Sequence, residues 1–214
     1  MHFRLEPHPQ LALVAFTTTL PGNLATLVSP PWLRTLLRLE AAAPVQRSET
    51  VRAAVRDLLR QGGYKPTGRG KPAAEFLLRE ASTSGLRSIN PAVDAGNAVS
   101  LHSGLPISVV DQEQLVLPLH VGLATAGARF VFNEAGQEID VEGLLCLHDA
   151  SGPCANAVKD AQRTKTHGAT RCTLNLVWGA QAVRTELERA AAWYRELLAR
   201  LDAATAPVRF EPSD

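Results

Sequence analysis

The chain has 214 residues, 45% hydrophobic and 20% charged, which is enough to bury a sizeable core without staples. Its net charge of +1 creates no overall field towards nucleic acid or membrane, so any RNA binding would have to come from a local patch. Three cysteines argue against a disulfide framework, and with no apolar leader in MHFRLEPHPQ and no run near the roughly 18 residues of a membrane span, a soluble, cytoplasmic protein is expected.

His2 to Leu5 and Leu11 to Thr17 read as short strands rich in Val, Phe and Thr, types that suit a pleated, half-buried surface. Pro30-Pro31 opens a short helix through Trp32, Leu33, Leu36, Leu37 and Leu39, since a proline at the first helical position has no N–H to waste. Ser48 caps a second helix whose Val51, Val55, Leu58 and Leu59 share a face, and Gly62-Gly63 stop it. YKPTGRGKP, from Tyr64 to Pro72, combines prolines, glycines and three basic residues without an acid, the composition of a solvated, mobile loop. A helix over Ala73 to Glu80 follows, broken by Ser82 to Gly85.

Asn90-Pro91 is a strong helix start, and Gly104-Leu105-Pro106 an equally clear stop, so a helix runs from about Pro91 to Ser103. It carries no Lys, Glu or Arg. Val93, Asn97, Ser100 and Gly104 form one stripe and Asp94, Ala98 and Leu101 the next. The small residues Ala92, Ala95, Gly96 and Ala98 imply close approach by backbone or by a ligand. Two readings stay open: a core helix whose polar groups tie down neighbouring loops, or the wall of a polar pocket. Either way its buried polar groups need partners, because an unsatisfied one costs roughly 1–3 kcal/mol.

From Ser108 to Val177 the period shortens. Leu115 to Leu123, Arg129 to Phe132, Gly143 to Leu147 and Cys172 to Val177 are strand candidates, punctuated by Gly127 and Gly136. Val183, Leu187, Ala190, Tyr194, Leu197 and Leu201 then form the apolar stripe of a long helix, about 180–203, with Arg184, Glu188, Arg189, Arg195 and Glu196 on its wet face. The tail, 204–214, reads as frayed. Without repeats or a linker, residues 1–214 are expected to form one α+β domain, a mixed and largely antiparallel sheet covered by helices.

Asn-Pro-x-Val-Asp-x-x-Asn-x-x-Ser-x-x-x-Gly-x-Pro-Ile, from Asn90 to Ile107, followed by Asp111, resembles the core motif of the B3/B4 domain, the editing module of the bacterial phenylalanyl-tRNA synthetase beta subunit. KPAAEFLLR (Lys71 to Arg79), Asp149 with Gly152, and DAQRTK (Asp160 to Lys165) are similar to flanking elements of stand-alone family members. The resemblance covers about 64–178. It implies an α/β/α-type sandwich whose pocket hydrolyses the ester of a mischarged aminoacyl-tRNA by positioning a water, with neither metal nor cofactor. Asn90, Asp94 and Asn97 fall in the matching helix, and Asp160, Arg163 and Thr164 in the segment corresponding to the pocket wall. Lys65, Arg69 and Lys71 are the candidates for gripping RNA, against the simpler reading of a solvated basic loop.

Two positions depart from the synthetase pattern. Ser108 stands where it has a histidine, and Asn175 lies in the strand where it has a glutamate.

Competing chemistries find less support. Cys146, His148, Cys154, His167 and Cys172 lack the tight paired spacing of zinc ligands. No nucleophile elbow, Walker loop or dinucleotide fingerprint occurs. The expected activity is aminoacyl-tRNA deacylation in trans, with the aminoacylated 3′ end of tRNA as partner. The alternative is a non-catalytic module binding RNA or an amino-acid-like small ligand.

Overall fold

The computed structural model describes residues 2–212. Their strands form a five-stranded sheet, a four-stranded sheet and a two-stranded hairpin. The expected α+β class, a mixed and largely antiparallel arrangement with helices over it, is what the chain adopts.

The four-stranded sheet is antiparallel throughout and is built on β2 (Leu11–Thr19), which pairs along its whole length with β9 (Cys172–Ala180). On the far side of β9 lies β3 (Ile107–Asp111), and β10 (Ala204–Pro207) closes the other edge. In the second sheet, β1 (His2–Leu5) lies between β11 (Arg209–Pro212) and β4 (His120–Leu123), parallel to both. Antiparallel pairing then adds β7 (Leu145–Asp149) and β8 (Gly152–Asn156). β5 (Arg129–Val131) and β6 (Glu138–Asp140) form the hairpin.

Cross-strand register fixes which side chains share a face. Phe16, Asn175 and Val109 align across β2, β9 and β3, as do Ala15, Leu176 and Ser108 one position on. The first row lies under α4 (Pro91–Ser103) and α5 (Arg184–Ala199), since Tyr194 of α5 donates to Asn175 Oδ1 at 2.9 Å and its ring packs edge-on against Phe16. The second row faces the end of β8, because Ser108 Oγ reaches Asn156 O at 3.3 Å.

α4 starts and stops as its sequence dictates. Asn90 Oδ1 accepts from Val93 N at 3.0 Å, Pro91 follows, and Gly104 takes a left-handed φ of 77°. Its small residues serve packing. A Cβ on Gly96 would lie 3.0 Å from both Tyr194 Oη and Val109 Cγ2, so glycine lets the helix settle between α5 and β3. α2 (Glu49–Arg60), capped by Ser48, buries Val51, Val55, Leu58 and Leu59 against β9. α3 (Ala73–Thr83) runs three residues past the expected Glu80 and packs on α4. α1 is shorter than expected, Pro31–Thr35.

Other expectations are corrected. Leu115–Leu123 shrinks to β4, because Asp111 caps a 3-10 turn at Gln112–Gln114 and Pro118 has no N–H for a ladder. β3, β6 and β8 are strands that the period-two reading passed over; β8 opens Gly-Pro, which reads as a turn but is tolerated on a sheet edge. The Tyr64–Pro72 segment is folded back on itself, with the Tyr64 ring against Gly70 and Pro66 and Pro72 buried. α5 begins at Arg184, after a 3-10 turn.

The tail is the largest correction. Residues 204–212 supply an edge strand to each sheet, Val208 is buried between them, and Phe210 packs edge-on against Phe3 at 5.0 Å. Ser213 and Asp214 lie outside the described residues. Composition alone concealed this, because tertiary pairing overrides weak local propensity. Deleting residues 204–214 is expected to cost roughly 2–4 kcal/mol, from one buried valine, most of a phenylalanine and two sheet edges. Urea unfolding with an unchanged midpoint would refute that role.

Candidate functional site

The motif residues divide into three groups. Around the start of α4, Asp94 is fully buried and accepts three hydrogen bonds: Ser29 Oγ at 2.5 Å, Ile89 N at 2.8 Å, and Ser88 Oγ. Asn90 spends its oxygen on the cap, and its Nδ2 donates to Thr166 Oγ1 at 3.2 Å. Both residues therefore clamp loops onto the helix start. Asn97 is half-buried and makes no hydrogen bond among the described residues, and Ser100 Oγ is buried without a partner. Both keep unspent hydrogen-bonding capacity among the described residues.

The second group lies on the opposite face of β3. Trp178 Nε1 donates to Ser108 Oγ at 3.0 Å, and Ser108 Oγ donates to Asp160 Oδ1 at 2.7 Å. Because the indole can only donate, the serine hydrogen must point to an acceptor, and the carboxylate is the nearer one. Ser108, Trp178 and Asn156 are buried, while Asp160 keeps partial exposure as a residue. Burial pushes the Asp160 carboxyl up to about 6; the Ser108 hydrogen bond, the Lys165 charge and the backbone at Asn156 and Val109 pull the other way. A carboxyl in that range is a proton acceptor matched to neutral pH. Cys146, beside Asn156, is pushed up to about 12 by burial and stays a thiol.

The third group is cationic. Lys159 Nζ sits 4.4 Å from the Phe132 ring centroid and 5.1 Å from that of Phe76 on α3. Lys165 Nζ donates to Phe132 O at 2.5 Å, and the Arg79 guanidinium lies 5.2 Å from the Phe76 centroid. Burial, then Lys165 and Arg69, hold Lys159 below the usual lysine range. Of the basic residues expected to grip RNA, Arg69 is exposed and near enough to Lys159 for its charge to be felt. Lys65 is exposed, and Lys71 lies near enough to Glu75 to help lower its carboxyl.

Arg163 and Thr164 are committed elsewhere. Arg163 makes a two-pronged ion pair with Asp149, both contacts at 2.7 Å, and Thr164 Oγ1 donates to backbone carbonyls of Cys154 and Ala161. Asn175 Nδ2 donates to Thr18 Oγ1 at 2.8 Å and its Oδ1 accepts from Tyr194, which makes it a buried tie between β2, β9 and α5. A cleft of about 290 Å³ between α2, α3 and the end of α4 is lined by Arg47, Glu75, Leu78 and Leu101. It touches none of these three groups, and Glu75 on its wall is already paired with Arg56.

Of the expected site residues, Asp160 is held by Ser108 and lies near enough to Lys165 to feel its charge. Sequence reasoning assigned no role to Ser108, Trp178, Lys159, Lys165, Phe76, Arg79 or Phe132. The available signal was the pair of lysines that flank DAQRT on either side.

Residues 65–186 match the B3/4 domain family. The phenylalanine–tRNA ligase beta subunit of Pasteurella multocida (strain Pm70) is 29% identical over 86 residues, which is 40% of this chain and 11% of that subunit. Its counterpart from Neisseria meningitidis serogroup B (strain MC58) is 30% identical over 118 residues, 51% of this chain and 14% of that one. The matched region is therefore a small part of either subunit. Among solved structures, an N-terminal fragment of the phenylalanyl-tRNA synthetase beta subunit from Pyrococcus horikoshii superposes with a TM-score of 0.57 at 11% identity, covering 100% of this chain and 52% of that one. That is a likeness of fold.

Proposed function

The chain belongs to the B3/4 domain family, and from that membership we propose that it hydrolyses the ester bond of mischarged aminoacyl-tRNA in trans. The observation that carries this reading is Asp160, a carboxyl raised to about 6 and fixed by Ser108 beside a cluster of cations. The cations hold the RNA backbone, and Asp160 takes the proton of an attacking water. The water oxygen bonds to the ester carbonyl carbon, the bond to the terminal ribose oxygen breaks, and the proton passes to that leaving oxygen. Free amino acid and tRNA result, with no redox partner needed. Asn90, Asp94, Arg163 and Thr164 act by holding the surrounding structure, and Asn97, with its unspent amide, and Lys65, Arg69 and Lys71 are the remaining candidates for contact with the RNA.

Incubation with a panel of mischarged tRNAs is expected to release amino acid from at least one, and to leave correctly charged tRNA intact. Intact ester across the whole panel would sink the reading. The alternative, a binding module without turnover, draws support from the uncharged Ser108 and Asn175 at the two positions that depart from the synthetase motif; it expects saturable tRNA binding with no release.

A further inference from the structure

Glu6, His120 and His148 stand in a row across the five-stranded sheet. Glu6 follows β1, while His120 on β4 and His148 on β7 are register partners. The two imidazoles stack with centroids 4.5 Å apart and planes 10° apart, and Glu6 Oε1 lies 3.8 Å from His120 Nε2. His148 is the buried member, 8% exposed, and its Nε2 is buried without a hydrogen-bond partner. The hydrogen bond of this ring to the Gly122 backbone therefore falls to Nδ1.

Such a row has a place for one proton and none for a second. A proton on His120 meets the Glu6 carboxylate. A proton on His148 Nε2 would be a dry donor against another imidazole, and a buried charge without a partner is costly. The groups around it give little relief. Asp149, next on β7, is spent on Arg163, Val116 N and Ser151 N. Arg4, the β1 partner of His120, is a further cation, and Pro153, opposite His148 on β8, is uncharged. Burial first, then His120, hold His148 below the ordinary histidine value of 6.5; the Gly122 backbone, Glu6 and Asp149 pull weakly the other way.

The pair also sits at a joint. Pairing of β4 with β7 is what connects β1 and β11 to β7 and β8. Directly beyond it, Asp149 grips Arg163, three residues after Asp160.

We propose that the stacked His120–His148 pair is an acid-released latch, which holds β4 on β7 while His148 is neutral and lets the strands part when His148 takes a proton. Because the folded state prefers the neutral ring, the stability it contributes is complete above about pH 6.5 and is lost as pH falls. Asp160 has the opposite sign, so the two groups can be told apart. The latch stands whether or not the chain hydrolyses an ester.

Urea unfolding and amide hydrogen exchange of the whole chain, between pH 8 and pH 5, test it. His148→Phe keeps a ring for stacking and removes the proton site, and slopes due to other groups are common to both proteins. Below pH 6.5 the unfolding constant of wild type is expected to rise faster than that of His148→Phe, by up to about tenfold per pH unit. Protection factors of the β4 and β7 amides should fall with pH in wild type and hold in the variant. Identical slopes in the two proteins would overturn the latch. If His148→Phe does not fold, the ring signals of wild type decide by nuclear magnetic resonance. Protonation of His148 together with loss of β4 and β7 protection would uphold the latch, and protonation with that protection intact would overturn it.

Discussion

Asp94→Ala is expected to lose about 3–5 kcal/mol of stability, enough to unfold the chain at physiological temperature. The carboxylate is fully buried and takes hydrogen bonds from Ser29, Ser88 and the Ile89 backbone. Alanine removes the acceptor and strands those donors, each costing about 1–3 kcal/mol if left dry. Asp94→Asn keeps one acceptor oxygen, and the two serine hydroxyls can rotate, so it should lose about 1–2 kcal/mol and stay folded. Urea unfolding monitored by circular dichroism measures both. An alanine variant within about 1 kcal/mol of wild type would mean that the Asp94 clamp contributes little, and would return the residue to the list of groups free to meet a ligand.

Asp160→Asn should do the opposite, gaining stability while losing function. Its folded carboxyl is raised to about 6 from an ordinary 3.8, so the folded state prefers the protonated form. The stabilising contribution of Asp160 is thus complete below about pH 4 and lost as pH rises through 6. Asparagine avoids the buried charge and still accepts from Ser108. Above pH 6 the variant should exceed wild type by about 1–3 kcal/mol, with the advantage shrinking towards pH 4. Deacylation should fall by 10²-fold or more, and the wild-type rate should drop below about pH 6 as the acceptor becomes protonated. A variant less stable than wild type at pH 8 would make Asp160 a structural tie. Full activity would remove it from the reaction. Groups held at a cost to stability are where function is expected to be found.

How legible these roles were in the sequence depended on whether the signal was local. The limits of α4 could be read from Asn90-Pro91 and Gly104-Leu105-Pro106, because capping is decided within a few residues. The polar face of that helix could not be assigned, since whether Asp94 meets a loop or a ligand is settled by Ser29, 65 positions away. Ser108 looked like a loss of function when compared with the synthetase histidine. Only the pairing of β3 with β9 revealed that it sits between Trp178 and Asp160. The cation cluster was invisible for the same reason: Arg69, Phe76, Phe132 and Lys159 come from four separate segments, and no periodicity links them.

The closing strands carry a consequence for synthesis. β1 needs β11 and β2 needs β10, so these two strands find edge partners roughly two hundred residues later in the chain. Emerging from the ribosome, the N-terminal portion must wait with unpaired edges until residues 204–212 arrive. Loop closure over such separations makes folding slow, and the waiting edges are where nascent chains misassociate. Both sheets are sealed only when residues 204–212 pair with β1 and β2.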